Sequence, residues 1–447
     1  MMNGKKLKQH FSLPVFFSLF SLIFVPALHA QDWVRTGTNL GAQTIRLAAA
    51  SFKPATNDVQ TLPLKSIFDQ TFYNDLKNSG VFDMVSQSMA PPEMPGSPQE
   101  IHLPLWAAAP ASAAFVAFGN IGVSNGRVSV QGFLFDAKDP QTPQILGKQY
   151  SDVANDENAR QIAHRFADEI IARLGGGING ICETHIYYIS SRSGNKEVWV
   201  MDYDGQNAHQ VTHLGTISLS PRVSPDNSRI AFSSLGRDGW SIRVYSLALN
   251  RMVHFNSPVG NAFSPAWSSD GNKLAFSSAH TGDNEIYSVN SDGGDLHRLT
   301  TFRGPDVSPV WNPKTNSQIA WVSGRTGLPQ IYIMDSDGSN VQRMTDGGYA
   351  ISPSWSPTGQ FLAFAWNRHY GPGVLGGQDI YVMDIASKRW TEVTHQEGTN
   401  DFPSWSPDNR HIVFQRGDQI WTMLADGTDQ QQLTHGGANT MPNWSWK

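Results

Sequence analysis

Cysteine is nearly absent from the sequence, and so is any excess of positive charge. The chain of 447 residues contains one cysteine, so no disulfide can form within it. Charged residues make up only 16%, and the net charge of −5 argues against nucleic acid as a partner. After residue 25, no apolar run reaches the roughly 18 residues that a membrane-spanning helix requires. These absences exclude a disulfide scaffold and predict that no membrane span follows the first residues.

The first thirty residues have the features of a targeting segment. Three lysines among the first eight residues precede an apolar run over residues 11–25, and small residues follow up to Ala30. This order predicts a secretory signal peptide over residues 1–30 that is cleaved near Ala30, whereas an uncleaved anchor helix would need a longer apolar run. Cleavage would remove the three lysines and no acidic residue, which changes the net charge from −5 to −8.

Glycine, proline and tryptophan are abundant, with 40, 26 and 14 copies. Much of this excess comes from one cassette, which reads Ser-Pro-x-Trp-Ser-x-Asp-Gly, an apolar run, Ile-Tyr-x-Met-Asp, Asp-Gly and Leu-Thr. The cassette recurs at intervals of 39 to 50 residues, and its prolines are Pro221, Pro265, Pro309, Pro353, Pro403 and Pro442. Tryptophan follows two residues later in every copy except the first, which has Val223.

Each cassette predicts four short strands. Its apolar segments are rich in β-branched and aromatic residues, and the Asp-Gly pairs between them favour tight hairpins. Four strands in roughly 40–50 residues are typical of a β-propeller blade. The copy around Pro442 has only its first strand, and the unit that starts at Thr184 lacks that strand, so we expect the two to complete one blade. The prediction is a six-bladed, WD40-like β-propeller over residues 184–447, closed by its C-terminal strand.

Residues 31–180 predict a separate α/β domain. Apolar residues at helical spacing indicate helices around Phe68 and Phe166, and strands are expected over residues 44–50, 81–85, 115–135 and 144–150. The segment Ser124-Asn125-Gly126 predicts a hairpin within the third of these ranges. The proline-rich residues 90–105 predict a loop.

Four short motifs suggest chemistry that their surroundings do not support. Residues 122–126 fit Gly-x-Ser-x-Gly, but a strand is expected after them, where a nucleophile elbow needs a helix. Residues 175–180 fit Gly-x-Gly-x-x-Gly, but they follow a helix and precede a strand, which reverses the order of a dinucleotide-binding loop. Residues 202–205 and 335–338 resemble the start of calcium loops but lack the later glutamate, so hairpin turns are favoured. We therefore predict no catalytic residue and no cofactor.

The expected ring has two unlike faces, because strands alternate in direction within a blade. The turns after the first and third strands share one face and are short and uniform. The connections after the second and fourth strands share the other face and vary in length, most of all over residues 369–378. Variable connections on a rigid frame are typical of a binding surface.

Three histidines, His213, His395 and His435, follow a Val-Thr or Leu-Thr pair in three adjacent blades. Equivalent positions near an outer strand are too far apart for ligands that must lie about 2 Å from one metal ion, so we predict no metal site. These histidines are interpreted as polar residues at the rim of a protein interface or as ordinary surface residues.

The chain resembles the TolB family of periplasmic proteins of the Tol-Pal system. The resemblance rests on the signal peptide, the α/β domain, the entry that begins Thr184-His185-Ile186, the repeated Ser-Pro-x-Trp-Ser cassettes and the closing Pro442-Asn443-Trp444-Ser445. It spans nearly the whole chain after residue 30. An α/β domain followed by six blades is more specific than the repeats alone, which also occur in propellers of prolyl-peptidase-like enzymes.

The resemblance implies a monomeric adaptor in the periplasm that is not an enzyme and that acts in outer-membrane integrity and cell division. It implies that the propeller binds the lipoprotein Pal and that the mature N-terminus binds TolA by adding a strand to its sheet. The face with variable connections is then the Pal site, with candidate residues His213, Asn261, Asp306, Tyr349, His395, Asn400, His435 and Asn439. The candidate residues for TolA are Trp33, Val34 and Arg35.

Two other functions stay open at this stage. The propeller could be the accessory part of a serine hydrolase whose catalytic domain is a separate chain, and labelling by a fluorophosphonate probe would favour that function. It could also be a lyase with a metal ion in the central channel, and a stoichiometric metal in the purified protein would favour that one.

Overall fold

The computed structural model describes residues 32–257, 259–368, 377–395 and 398–446. The signal peptide predicted over residues 1–30 and most of the connection over residues 369–378 lie outside these residues. The described residues form an N-terminal α/β part and six four-stranded sheets, so the predicted fold class is confirmed. No helix in this part of the chain is long and apolar enough to cross a membrane.

The N-terminal part is one sheet covered by two long helices. Its elements are α1 (Asp32–Gly37), β1 (Ile45–Ala49), β2 (Lys53–Pro54), α2 (Thr61–Asn78), β3 (Phe82–Met84), α3 (Leu103–Ala107), β4 (Phe115–Ser124), β5 (Arg127–Asp136), β6 (Gln144–Val153) and α4 (Asp156–Leu174). The strand order is β3-β1-β4-β5-β6, β2 pairs with β4, and α2 and α4 pack together. Phe52, Phe68, Phe72 and Phe166 form the centre of the core, in ring pairs whose centroids lie 4.6 to 6.2 Å apart.

Two local predictions for this part have different outcomes. Asn125 and Gly126, with φ of 51° and 70°, form the predicted hairpin between β4 and β5, so the Gly-x-Ser-x-Gly match lies in a hairpin. The loop predicted over residues 90–105 is wrong in part, because α3 begins inside it, with a proline in its first turn. Trp106 of this helix is fully buried and donates a hydrogen bond to Glu93 Oε1 at 2.6 Å.

The remaining strands form six blades around a ring. Blade 1 has β7 (His185–Ser190), β8 (Glu197–Asp202) and β9 (His209–Gln210), and blade 2 has β10 (Ser218–Val223), β11 (Arg229–Gly236), β12 (Gly239–Ser246) and β13 (Arg251–Val253). Blade 3 has β14 (Ala262–Trp267), β15 (Lys273–Thr281), β16 (Asp283–Asn290) and β17 (His297–Arg298), and blade 4 has β18 (Asp306–Trp311), β19 (Gln318–Ser323), β20 (Gln330–Asp335) and β21 (Gln342–Arg343). Blade 5 has β22 (Tyr349–Trp355), β23 (Phe361–Asn367), β24 (Asp379–Asp384) and β25 (Arg389–Glu392), and blade 6 has β26 (Asn400–Trp405), β27 (His411–Arg416), β28 (Gln419–Leu424) and β29 (Gln431–Gln432).

The ring closes as predicted, through β30 (Asn439–Trp444). This strand pairs antiparallel with β7, so that Trp444 lies opposite Ile186 and Thr440 opposite Ile189. Blade 1 therefore takes its first strand from the end of the propeller, which covers the edge of β7. The first strands of neighbouring blades contact one another and surround a central channel.

The tryptophan of the cassette packs between its blade and the preceding one, and in two copies its indole also donates a hydrogen bond across the boundary. The indole Nε1 of Trp267 in blade 3 donates to the carbonyl of Arg222 in blade 2, at 3.0 Å. In the same way, Trp355 in blade 5 donates to the carbonyl of Val310 in blade 4, at 3.2 Å. Every tryptophan in this slot is buried, so the repeated residue acts as a wedge between blades.

The two faces of the ring carry different connections, as predicted. We call the face with the turns after the first and third strands the turn face, and the opposite one the loop face. The N-terminal part packs on the turn face. There, Arg410 Nη2 donates to the carbonyl of Gly80 at 2.7 Å, and Arg160 Nη2 donates to Asp204 Oδ2 at 2.7 Å. No described residue of the N-terminal part covers the loop face.

His411 joins the two parts of the chain as a charged group. Its Nε2 lies 2.8 Å from the carbonyl of Asn78 at the end of α2, and its Nδ1 lies 2.6 Å from Asp408 Oδ2. Both partners accept, so both ring nitrogens donate. Burial alone would lower the pKa of His411, but the Asp408 carboxylate outweighs it and raises that pKa. A cation at the C-terminal end of a helix is also favoured by the helix dipole.

Candidate functional site

The threonine that ends each Val-Thr, Leu-Thr or Met-Thr pair fixes the start of the connection on the loop face. In blade 5, Thr394 Oγ1 donates to Asp379 Oδ1 at 2.8 Å and accepts from the backbone N–H of Ile380 at 2.9 Å. The same pair of bonds occurs in four other blades, where the threonine and its acceptor are Thr212 and Glu197, Thr300 and Glu285, Thr345 and Gln330, and Thr434 and Gln419. These buried bonds explain the threonine of the cassette, for which the sequence suggested no role.

The three predicted histidines lie exposed on the loop face, each directly after one of these threonines. His395, His435 and His213 belong to blades 5, 6 and 1, which are neighbours in the ring. His395 Nδ1 lies 3.7 Å from Glu392 Oε1, and its side chain is 68% exposed. In the described ranges, no group of three or more His, Cys, Asp or Glu side chains is arranged to hold a metal ion.

Three other candidates are not placed as expected. Asp306, Asn400 and Asn439 were predicted as contact residues on the face with variable connections, but they begin β18, β26 and β30 and are fully buried. The residue three positions before the cassette proline faces inward in all six copies. In the three copies not yet named this residue is Ser218, Ala262 or Ala350, and each is also fully buried. Asp306, Asn400 and Asn439 therefore have partners within the propeller, in their own blade or in the preceding one.

Asp306, Asn400 and Asn439 are hydrogen-bonded to side chains of their own or the preceding blade. These side chains come from the second strand, the third strand or the connection between them. Asp306 Oδ2 accepts from Arg325 Nη2 at 3.1 Å. Asn400 accepts from Arg416 Nε at 2.8 Å and donates to Asp379 Oδ1 at 3.0 Å. Asn439 Oδ1 accepts from Ser190 Oγ at 2.8 Å. Asp306, Asn400 and Asn439 therefore lie beneath the surface of the loop face and cannot contact a partner directly.

Asn261 and Tyr349 lie at the rim of the loop face, where Asn261 is exposed and Tyr349 partly exposed. Close to Asn261, the rings of Trp240 and Phe263 pack with centroids 5.3 Å apart.

The loop face also carries exposed side chains that the sequence analysis did not single out. The apolar ones are Ile217, Phe302 and Leu328, and the basic ones are Arg192, Lys196, Arg237, Arg303 and Arg368. Aligning the connections of the six cassettes would have found them. Aromatic, apolar and arginine side chains together are the usual composition of a protein interface.

The three candidates for TolA binding lie in α1, which packs on the turn face against blades 5 and 6. Val34 is fully buried in a cluster that includes Phe361 and Trp405. The ring of Trp33 lies 5.7 Å from that of Phe361, and Arg35 Nη1 lies 3.5 Å from Asp426 Oδ2. The three residues therefore lie in a docked helix whose central side chain is inaccessible.

Known protein families match both parts of the chain. The model of the TolB beta propeller domain matches residues 173–375 and 347–447, and that of the TolB amino-terminal domain matches residues 38–142. A Tol-Pal system protein TolB from Gluconobacter oxydans is 32% identical over 387 residues, which cover 75% of this chain and 82% of that protein.

Other relatives match over shorter segments. A protein TolB homolog from Chlorobium chlorochromatii is 34% identical over 200 residues, which cover 45% of this chain and 44% of that protein. The chain spans 41% to 60% of the length of this and three further curated relatives. The crystal structure of TolB from Acinetobacter baumannii has the same fold, with a TM-score of 0.73, 24% identity and coverage of 90% of this chain and 97% of that one.

Proposed function

Because the chain belongs to the TolB family, whose members are components of the Tol-Pal system, we propose that it is a periplasmic adaptor that binds Pal and TolA. In this proposal the loop face of the propeller holds Pal, and the segment with Trp33, Val34 and Arg35 binds TolA. The chain links these proteins in the maintenance of the outer membrane and in cell division, and it catalyses no reaction.

The main support for a Pal site on the loop face is the difference between the two faces of the propeller. The N-terminal part and α1 cover the turn face, whereas the loop face carries Phe302 and Leu328, 55% and 41% exposed, beside exposed arginines. A rigid surface with exposed apolar and cationic side chains suits a protein partner. Within this surface, His213, His395, His435, Asn261 and Tyr349 are accessible for contact. Asp306, Asn400 and Asn439 hold the strands in place beneath them.

A triple substitution tests the Pal site. The variant with Asn261→Ala, His395→Ala and His435→Ala is expected to weaken Pal binding at least about tenfold, since interface side chains that matter contribute more than about 1 kcal/mol each. Isothermal titration calorimetry with purified Pal measures the change.

The chain offers a matched control for this experiment. His209 and His297 are exposed on outer strands, and Asn272 is exposed on the turn face. The variant with these three residues changed to alanine should bind Pal like the wild type. Loss of binding in the control, or wild-type binding by a folded loop-face variant, would reject the loop face as the Pal site.

The TolA contact requires release of α1, because a side chain buried like Val34 cannot meet a partner. A Cβ atom at Gly37 would overlap the ring of Phe361, which is fully buried and stacked on Trp405. Gly37→Val should therefore release α1 from the turn face without changing Trp33, Val34 or Arg35. Since apparent affinity scales with the fraction of competent molecules, we expect at least about tenfold tighter binding of TolA.

Gly41→Ala is the matched control, because a Cβ at Gly41 would come no closer than 3.8 Å to another atom. Surface plasmon resonance with immobilised TolA compares the two variants, and limited proteolysis shows whether the segment is released. If Gly37→Val exposes the segment to protease but leaves TolA affinity at the wild-type value, the segment is not the TolA site.

A further inference from the structure

The central channel of the propeller has two cavities that share one charged side chain. The larger cavity, about 110 Å³, lies toward the turn face and is lined mainly by the tryptophans and prolines of the cassettes. The smaller, about 30 Å³, lies toward the loop face and is lined by Ser220, Ser264, Ser308 and Ser352 among others. Arg222 lines both cavities, so its side chain stands at their junction.

Arg222 is an exception within the repeat. The residue between the cassette proline and the tryptophan slot is Ala266, Val310, Ser354, Ser404 and Asn443 in the other five copies. Blade 2 alone places a cation there.

The guanidinium of Arg222 has no counter-charge among the residues that the structure describes. Its Nη1 donates to the carbonyl of Pro221 at 2.9 Å, and no carboxylate of the described residues lies within 4.0 Å of it. Other enclosed arginines differ, since Arg325 lies 3.1 Å from Asp306 and Arg160 lies 2.7 Å from Asp204. Burial lowers the pKa of Arg222 to about 10. A cation that is enclosed in this way is costly unless an anion accompanies it.

Serine hydroxyls surround the same point. Ser220, Ser264, Ser308 and Ser352 have φ between 52° and 54°, at a register shift in the first strand of their blades. This bulge turns each serine toward the channel. Hydroxyls donate to oxyanions, and a guanidinium adds charge-assisted hydrogen bonds.

A carboxyl group lies on the opposite side of the channel. Asp401 of blade 6 is hydrogen-bonded to Ser352 of blade 5, which stands across the ring from blade 2. Burial raises the pKa of Asp401. An anion would therefore lie beside Arg222, Ser220, Ser264 and Ser308, away from that carboxyl.

The geometry points to a binding site for a small oxyanion in the channel, held by the Arg222 guanidinium and the hydroxyls of Ser220, Ser264 and Ser308. The three serines line the smaller cavity, about 30 Å³, and Arg222 also lines the larger one beside it. An ordered water needs about 10–15 Å³, so the junction of the two cavities has room for a tetrahedral ion such as phosphate. The ion neutralises a charge that the fold would otherwise enclose alone. This site does not depend on the binding of Pal or TolA.

Thermal unfolding in the presence of inorganic phosphate tests for this anion site. At constant ionic strength, increasing phosphate should raise the thermal midpoint of the wild-type protein in a saturable manner. Arg222→Gln should bind phosphate at least about tenfold more weakly, because it loses the charge-assisted bonds. Without phosphate, Arg222→Gln should be at least as stable as the wild type, which also shows that it folds. Arg192→Gln, which removes an exposed arginine of the loop face, should respond to phosphate like the wild type.

A second measurement locates the ion. Crystals soaked in selenate, an analogue of sulfate and phosphate, should give an anomalous peak within hydrogen-bond distance of Arg222. An absent response in the wild type, an equal response in Arg222→Gln, or a selenate peak only outside the channel would overturn the proposal.

Discussion

Replacing Trp444 with alanine is expected to lower the free energy of unfolding by about 3–5 kcal/mol, the range for a buried tryptophan. Trp444 is 3% exposed and lies in the strand that closes the ring. Its Nε1 donates to Thr184 Oγ1 at 2.8 Å, and its backbone N–H donates to Ser404 Oγ of blade 6 at 3.1 Å. The indole also packs beside the ring of His411 in blade 6, with centroids 6.2 Å apart, so the cavity left by alanine lies at the seam of the ring.

Urea unfolding followed by circular dichroism measures this effect. Trp444→Phe is the matched control, since it keeps most of the apolar volume and loses the bond to Thr184, for which we expect about 1 kcal/mol. The order of stability should be wild type, phenylalanine and then alanine. An alanine variant within about 1 kcal/mol of the wild type would mean that the seam adapts to the cavity.

The closure of the ring could be predicted because it follows from a repeat. A cassette with one strand at Pro442 and a unit at Thr184 that lacks that strand are complementary, and each has an exposed edge until they pair. The hairpins were predictable for a similar reason, since Asp-Gly and Asn-Gly encode positive φ locally.

The burial of single polar residues could not be predicted in the same way. Asn400 and Asn261 precede their cassette prolines by three and four residues, yet Asn400 is fully buried and Asn261 is exposed. The residue three positions before the proline points inward in every blade, and at Asn400 the side chains of Arg416 and the buried Asp379 complete the hydrogen bonds that this position requires. Sequence shows that a residue is polar, but not whether its partners are water or buried side chains.

Contacts between the two parts of the chain were also invisible in the sequence. Val34 packs with Phe361, and no local pattern links positions so far apart. Tyr203 lies in a turn that was interpreted only as a hairpin, at residues 202–205. Its hydroxyl nevertheless donates to Asp75 Oδ1 at 2.6 Å, across the boundary between the α/β part and the propeller.

Asp75→Ala is expected to cost about 3–5 kcal/mol, because it breaks a buried polar cluster by removing the shared acceptor. Asp75 in α2 is 1% exposed, and His164 Nδ1 of α4 lies 2.8 Å from its second carboxylate oxygen. Removal of the carboxylate leaves the buried imidazole of His164 and the buried hydroxyl of Tyr203 without this acceptor. One of these groups belongs to the α/β part and the other to the propeller, so the loss weakens their association.

Differential scanning calorimetry tests this expectation. We expect the α/β part and the propeller of Asp75→Ala to unfold at more widely separated temperatures than in the wild type. Asp83→Ala is the matched control, since Asp83 pairs with Arg46 at 2.6 Å but is 51% exposed, and such surface pairs contribute at most about 1 kcal/mol. If the two variants lose equal stability, Asp75 acts only as a surface acid would. If only Asp75→Ala is impaired, the buried cluster is what joins the propeller to the α/β part.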